Sequence, residues 1–169
     1  MELQQLAHAD GLTGAYNRTG FMQVARAALE RAKASGRRPA VFFIDLNGMK
    51  SINDSLGHQE GDRLLVDVTS ILRSCFRTSD IVGRLGGDEF VVLAPEAGEQ
   101  AEVLGTRLQA AVDAFNAEAD RAYRVSISVG LGTPDPGEPA TLEDLVRQAD
   151  RRMYEDKLGR SAQRDAGRR

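Results

Sequence analysis

A single cysteine, Cys75, stands among the 169 residues, so the chain has no internal disulfide to lean on. That fits a reducing, cytoplasmic setting. Cys75 falls in the stripe Leu64, Leu65, Val68, Ile71, Leu72, Cys75, Phe76. This is helical spacing, which makes it core filler rather than a nucleophile. Excess positive charge is also missing: 22 Lys and Arg face 25 Asp and Glu, a net charge of −3. No basic field is available to grip nucleic acid, and the pairs Arg37-Arg38, Arg151-Arg152 and Arg168-Arg169 read as solvated surface. No apolar run approaches the roughly 18 residues that span a bilayer, so no membrane contact is expected of this segment. The N-terminus lacks the basic-then-apolar pattern of a secretory signal, and the expectation is a cytoplasmic protein. Internal repeats and low-complexity tracts are absent too. What remains is 41% apolar and 28% charged, the composition of one globular domain with a real core.

Hydrophobic periodicity divides that domain. Arg18 to Ala34 carries Phe21, Val24, Ala25, Ala28, Leu29 and Ala32 on one helical stripe, stopped by Ser35-Gly36. Ala40–Ile44 is a continuous apolar run, expected to be a buried strand. A helical turn around Lys50–Leu56, a helix over Leu64–Phe76 and a hairpin of Ile81–Leu85 with Phe90–Leu93 follow. Gln100 to Ala117 is a further helix, and Arg124–Leu131 alternates as a strand. Thr141-Leu142-Glu143-Asp144 is a capping box with Asp in place of Glu or Gln, opening a helix to about Leu158. The order predicts an α+β fold: a central, mainly antiparallel sheet covered by helices. Residues 1–9 are expected to be the end of an incoming linker helix, 10–160 the domain, and 161–169 a loose polar tail.

Chemistry concentrates at Arg84-Leu85-Gly86-Gly87-Asp88-Glu89-Phe90. Gly86 and Gly87 let the backbone turn tightly and approach a ligand closely. Asp88 and Glu89 follow at once, and Asp45 ends the first strand. If the hairpin pairs beside that strand, these carboxylates converge and need a cation. Mg²⁺ suits hard oxygen donors and leaves room for phosphate oxygens, with Mn²⁺ an acceptable substitute. Two metals at such a site would activate an attacking hydroxyl and steady a leaving pyrophosphate.

The string Gly86-Gly87-Asp88-Glu89-Phe90 resembles the signature of the GGDEF family, the diguanylate cyclases. The run from Asp45 to Asp62, with Lys50, Asn53-Asp54, Gly57-His58 and Gly61-Asp62, is similar to the family pattern. So are Asp10-Gly11-Leu12-Thr13-Gly14-Ala15-Tyr16-Asn17-Arg18, Ser126–Gly130, and Ala149-Asp150 with Met153-Tyr154 and Lys157. The resemblance covers Asp10 to Arg160 and implies a palm-like fold related to nucleotide cyclases and polymerases. It implies condensation of two GTP into cyclic di-GMP with release of pyrophosphate. By the same match, Asp45 and the Leu46 carbonyl hold metal with the catalytic Asp88 and Glu89. Asn53 and Asp62 read the guanine base, an assignment consistent with their hydrogen-bonding capacity. Lys50 and Lys157 serve the phosphates beside Gly86 and Gly87, and His58 is structural. Asn47 and Met49 stand where Asp and Phe are common, and Arg160 sits one residue closer to Lys157 than usual, which leaves it either a phosphate contact or a helix-terminal cation.

Arg77 and Asp80 lie where the family places a product-binding inhibitory site. Arg can fork onto guanine O6 and N7, and Asp can accept from N1–H and N2–H₂; taken alone, the pair is a local ion pair of small value. The resemblance further implies a homodimer, because one domain offers one nucleotide site, and an upstream sensor domain in a full-length protein. The alternative is a catalytically silent module that binds GTP or cyclic di-GMP; intact Asp88 and Glu89 favour the enzyme. A cyclase with another base preference is a third possibility, against which Asp62 argues.

Overall fold

The computed structural model describes residues 7–168, which hold five helices and four strands. Helix α1 spans Arg18–Ala34, and the Asn17 side chain caps it by accepting from the Gly20 N–H at 2.9 Å. Strand β1 is Ala40–Leu46, two residues longer than expected and buried throughout. Helices α2 (Met49–Leu56) and α3 (His58–Cys75) meet at Gly57, whose φ of 90° only glycine adopts readily. Then come β2 (Ile81–Arg84), β3 (Glu89–Ala94), α4 (Ala101–Glu118), β4 (Ile127–Gly132) and α5 (Leu142–Ala166).

The strands lie in the order β2-β3-β1-β4, every neighbouring pair antiparallel. Alternation along β1 sorts the core into two layers. Phe42, Ile44 and Leu46 face α3 and α4 with Phe90, Val92, Leu64 and Leu108. Val41 and Phe43 face α1 and α5 with Phe21, Leu29, Val91 and Met153. Full burial of such side chains stabilises the fold by about 1.5–3 kcal/mol each.

Both sheet edges are covered, which blocks strand addition by another chain. Along β2, the Tyr16 N–H donates to Val82 O (3.1 Å) and the Arg84 N–H donates to Tyr16 O (2.8 Å). Along β4, α5 supplies side chains at four-residue spacing. Gln148 Oε1 accepts from the Thr133 N–H (2.9 Å), Arg152 donates to Leu131 O (2.7 Å), and Asp156 Oδ2 accepts from the Val129 N–H (3.0 Å). The helix lies so close that a Cβ on Gly130 would stand 1.9 Å from Ala149 O and 2.2 Å from Met153 N. The Ser126–Gly130 segment therefore matters for packing.

Other boundaries differ from the sequence expectation as well: β4 starts at Ile127 rather than at Arg124. Helix α3 begins six residues earlier than its apolar stripe, because its first turn is exposed and carries no periodic signal. Helix α5 does not stop near Leu158 but runs to Ala166. Residues 161–166 are thus a polar extension rather than a loose tail, built from residues of fair helix propensity. Of the expected linker helix, residues 1–6 lie outside the described residues, and 7–9 form a turn and a bridge to Tyr16. The Thr141 box forms: Thr141 Oγ1 accepts from the Asp144 N–H, and Asp144 accepts from the Thr141 N–H, each at 3.1 Å.

Candidate active site

Antiparallel pairing brings the end of β1 to the start of β3. Asp45 lies directly opposite Glu89 in the β1–β3 register and opposite Ser128 in the β1–β4 register. The Leu46 N–H donates to Asp88 O at 2.9 Å, tying the hairpin tip to the strand end. Like charges placed opposite one another across a sheet are destabilising, and the electrostatics carry that cost. Burial and then the Asp45 charge raise the Asp88 carboxyl above its ordinary range. Burial, then the charges of Asp88 and Asp45, raise Glu89 likewise, with Asp150 adding to the effect and Arg18 opposing it.

Lys157 supplies the countercharge. Its Nζ donates to Asp45 Oδ2 at 2.6 Å, and that bond raises the Lys157 ammonium against the lowering effect of burial. The other oxygen, Asp45 Oδ1, is buried and has no hydrogen-bond partner among the described residues. A buried carboxylate oxygen without a donor is costly. Hard, anionic oxygens with one orphan among them fit Mg²⁺ or Mn²⁺. The fit is to a charge cluster rather than to a finished cage: among the described residues no three His, Cys, Asp or Glu side chains already stand in a metal-holding arrangement.

Arg84 and Asp10 shape the tip, though neither is among the site residues the family resemblance implies. Arg84 Nη2 donates to Gly87 O at 2.9 Å, while its Nη1 reaches Asp10 at 3.1 and 3.2 Å. Asp10 Oδ2 also accepts from the Thr13 N–H and hydroxyl. A charged residue ending β2 beside two glycines was the available signal. Gly86 and Gly87 do not have the positive φ expected of a tight left-handed turn. Their value is space: a Cβ on Gly86 would lie 3.3 Å from Glu89 Oε2, and nothing lies within 4 Å of one on Gly87.

The α2–α3 elbow gathers the residues expected to read a base. Asn53, half-buried, rests on Gly61, where an added Cβ would fall 1.8 Å from Asn53 Oδ1. Asp62 follows at once but is exposed, so the pair is open to a ligand rather than enclosed. Lys50 is exposed in the first turn of α2, and His58 is the exposed first residue of α3.

Two side chains point away from the cluster. Asn47 bridges strands, its Nδ2 donating to Ser126 Oγ (3.1 Å) and its Oδ1 accepting from Ser128 Oγ (3.2 Å). Arg160 is mid-helix, not terminal, and bonds Asp156 and Gln109, both at 3.1 Å.

Arg77 and Asp80 form a closed turn ahead of β2. Asp80 Oδ2 accepts from the Arg77 backbone N–H at 2.7 Å, and the Asp80 N–H donates to Arg77 O at 3.0 Å. The bond is to backbone, not the ion pair the spacing also allowed. Burial raises the Asp80 carboxyl. The turn borders a groove of about 790 Å³ shared with Tyr16, Arg73 and Phe76. The four residues of β2 separate it from the acidic cluster, roughly 13 Å at the strand rise.

The family described as "Diguanylate cyclase, GGDEF domain" matches residues 7–163. The chain belongs to that family. This GGDEF domain is 40% identical over 157 residues to a Pseudomonas aeruginosa protein named cyclic di-GMP phosphodiesterase NbdA, covering 92% of this chain and 20% of that one. It is 37% identical over 162 residues to the probable diguanylate cyclase DgcE of Escherichia coli, covering 93% of this chain and 15% of the relative. The chain thus spans a fifth or less of these relatives' length. A crystal structure of the GGDEF domain of Caulobacter crescentus DgcB in complex with cyclic di-GMP superposes with a TM-score of 0.78. It is 28% identical and covers 90% of this chain and 89% of that one.

Proposed function

We propose that this GGDEF domain condenses two GTP into cyclic di-GMP, working as a homodimer, each copy holding one nucleotide. The observation that carries this reading is Asp45 facing Glu89 across the sheet, with Asp88 beside them and one buried oxygen unpartnered. Asn53 and Asp62 hold the guanine edge: the carboxylate accepts from N1–H and N2–H₂, and the amide both donates and accepts. Adenine presents a different donor and acceptor pattern and is bound less well. Lys50 and Lys157 neutralise phosphate charge, and the open backbone at Gly87 leaves room for phosphate oxygens. Asp45, the Leu46 carbonyl, Asp88 and Glu89 would hold Mg²⁺ or Mn²⁺, which would supply activation of the 3′-hydroxyl and charge relief for the departing pyrophosphate. The 3′-oxygen of one GTP attacks the α-phosphorus of the other. Repeated in the opposite sense, this closes the ring.

The Arg77–Asp80 turn binds product and inhibits, supported by its exposed guanidinium beside a groove and its separation from the acidic cluster. Input arrives from a sensor domain elsewhere in a longer cytoplasmic protein, a reading supported by how little of its relatives' length the chain spans.

The test is incubation with GTP and Mg²⁺ and identification of products by chromatography and mass, with Asp88→Ala and Glu89→Ala as controls. Cyclic di-GMP from the native chain alone upholds the cyclase. No product at any protein concentration, combined with tight binding of GTP or cyclic di-GMP, would make this a receptor. Arg77→Ala should relieve inhibition by added cyclic di-GMP, and unchanged inhibition would remove that assignment.

A further inference from the structure

Lys157 and Asp45 are unequal partners. The Asp45 side chain is 9% exposed and fixed at a strand end, whereas the Lys157 side chain is 42% exposed on a flexible four-carbon stem. Helix α5 does not need this bond to keep its place. Its capping box, the β4-edge contacts of Gln148, Arg152 and Asp156, and the close approach at Gly130 all hold it independently. Lys157 can therefore leave Asp45 without moving the helix.

We propose that Lys157 is a displaceable countercharge that makes metal and nucleotide load together. This rests on the reading of the acidic cluster as a metal–triphosphate site. In the free domain the ammonium occupies Asp45 Oδ2, so a divalent cation arriving alone must break an ion pair and then sit beside a positive charge. A triphosphate offers Lys157 a richer set of acceptors. Once Lys157 turns to the phosphates, both Asp45 oxygens are open to the cation. Metal alone is held weakly, and each ligand raises the affinity for the other by the same factor.

Titration of the full chain with Mn²⁺, reading free aquo-Mn²⁺ by electron paramagnetic resonance, tests this without turnover. It is done with and without a GTP analogue that cannot react at the α-phosphate, subtracting Mn²⁺ bound by analogue alone. Without nucleotide, Lys157→Met should bind Mn²⁺ about tenfold more tightly than the native chain, about 1.4 kcal/mol. Lys157→Arg should bind as weakly as the native chain, because the charge remains. The analogue should tighten Mn²⁺ binding strongly in the native chain and much less in Lys157→Met. Thermal melts check that each variant is folded. If Lys157→Met and the native chain bind Mn²⁺ equally without nucleotide, yet the analogue still recruits metal through Asp45, as shown by loss in Asp45→Asn, the countercharge idea is wrong and the metal site stands. If no variant binds Mn²⁺ even with the analogue, the metal site and this inference both fall.

Discussion

At the scale of single residues, Glu89 and Asp67 show the same chemical group pushed in opposite directions. Glu89 is raised by burial and by three neighbouring carboxylates, Asp88, Asp45 and Asp150. As pH rises the unfolded chain loses that proton first. The group therefore favours the fold most below the ordinary carboxylate range and disfavours it as pH climbs through the raised folded value. Glu89→Gln should abolish turnover yet raise the Tm of the metal-free chain at neutral pH, measured by calorimetry. A lower Tm would show that the cluster is not under like-charge strain. Asp67 is raised by burial but lowered further by Arg121, which grips it at 2.7 and 3.0 Å, and by the Tyr123 hydroxyl. Burial and the Asp67 bond push Tyr123 up to about 12. Here the stability is present above the unfolded carboxylate value and is lost as pH falls through the folded one. Tyr123→Phe should cost about 1.5–3 kcal/mol in urea unfolding at pH 7. That loss should shrink in acid.

At the scale of elements, two glycines set what a helix can touch. Gly61 gives Asn53 its seat at the α2–α3 elbow, and any Cβ there collides with the Asn53 amide. Gly61→Ala should raise the KM for GTP about tenfold, equivalent to about 1.4 kcal/mol, while kcat changes little. Steady-state kinetics would separate this from a fall in kcat alone, which would argue against a base-reading role for Asn53. Gly130 plays the corresponding part for α5. Gly130→Ala pushes the helix off β4, and the strain should destabilise the fold by about 1–3 kcal/mol. The covered edges of β2 and β4 come from quite different sequences: a loop through Tyr16 on one side, a helix face on the other. Of these elements the helix and strand cores were legible in the apolar stripes. The first turn of α3 and the last two turns of α5 were not, since exposed polar helix carries no stripe.

At the scale of the whole molecule, the proposed reaction needs two nucleotides and one domain supplies one site. The initial rate should rise more steeply than linearly with protein concentration in the dilute range and become linear once dimers dominate. A linear dependence throughout, with only monomer in sedimentation, would count against a symmetric two-domain reaction. Joining two copies through a flexible linker should restore linearity by raising the effective concentration to roughly millimolar.

Apolar periodicity and the Asp45–Asp62 and Arg84–Phe90 runs are local signals, and the cores of the helices and strands, the antiparallel α+β architecture and the family are legible from them alone. The sequence also marked Asp45, Asp88 and Glu89 as carboxylates in want of a cation. Tertiary structure decided how those groups are balanced. Lys157 reaches Asp45 across 112 positions of chain, Arg84 joins Asp10 across 74, and Asn47 turns to Ser126 and Ser128 rather than to the acidic cluster. Such pairings depend on which strand lies beside which and on where α5 rests on the glycines of β4. Local spacing does not encode those distances; packing of the whole sheet and its helices does.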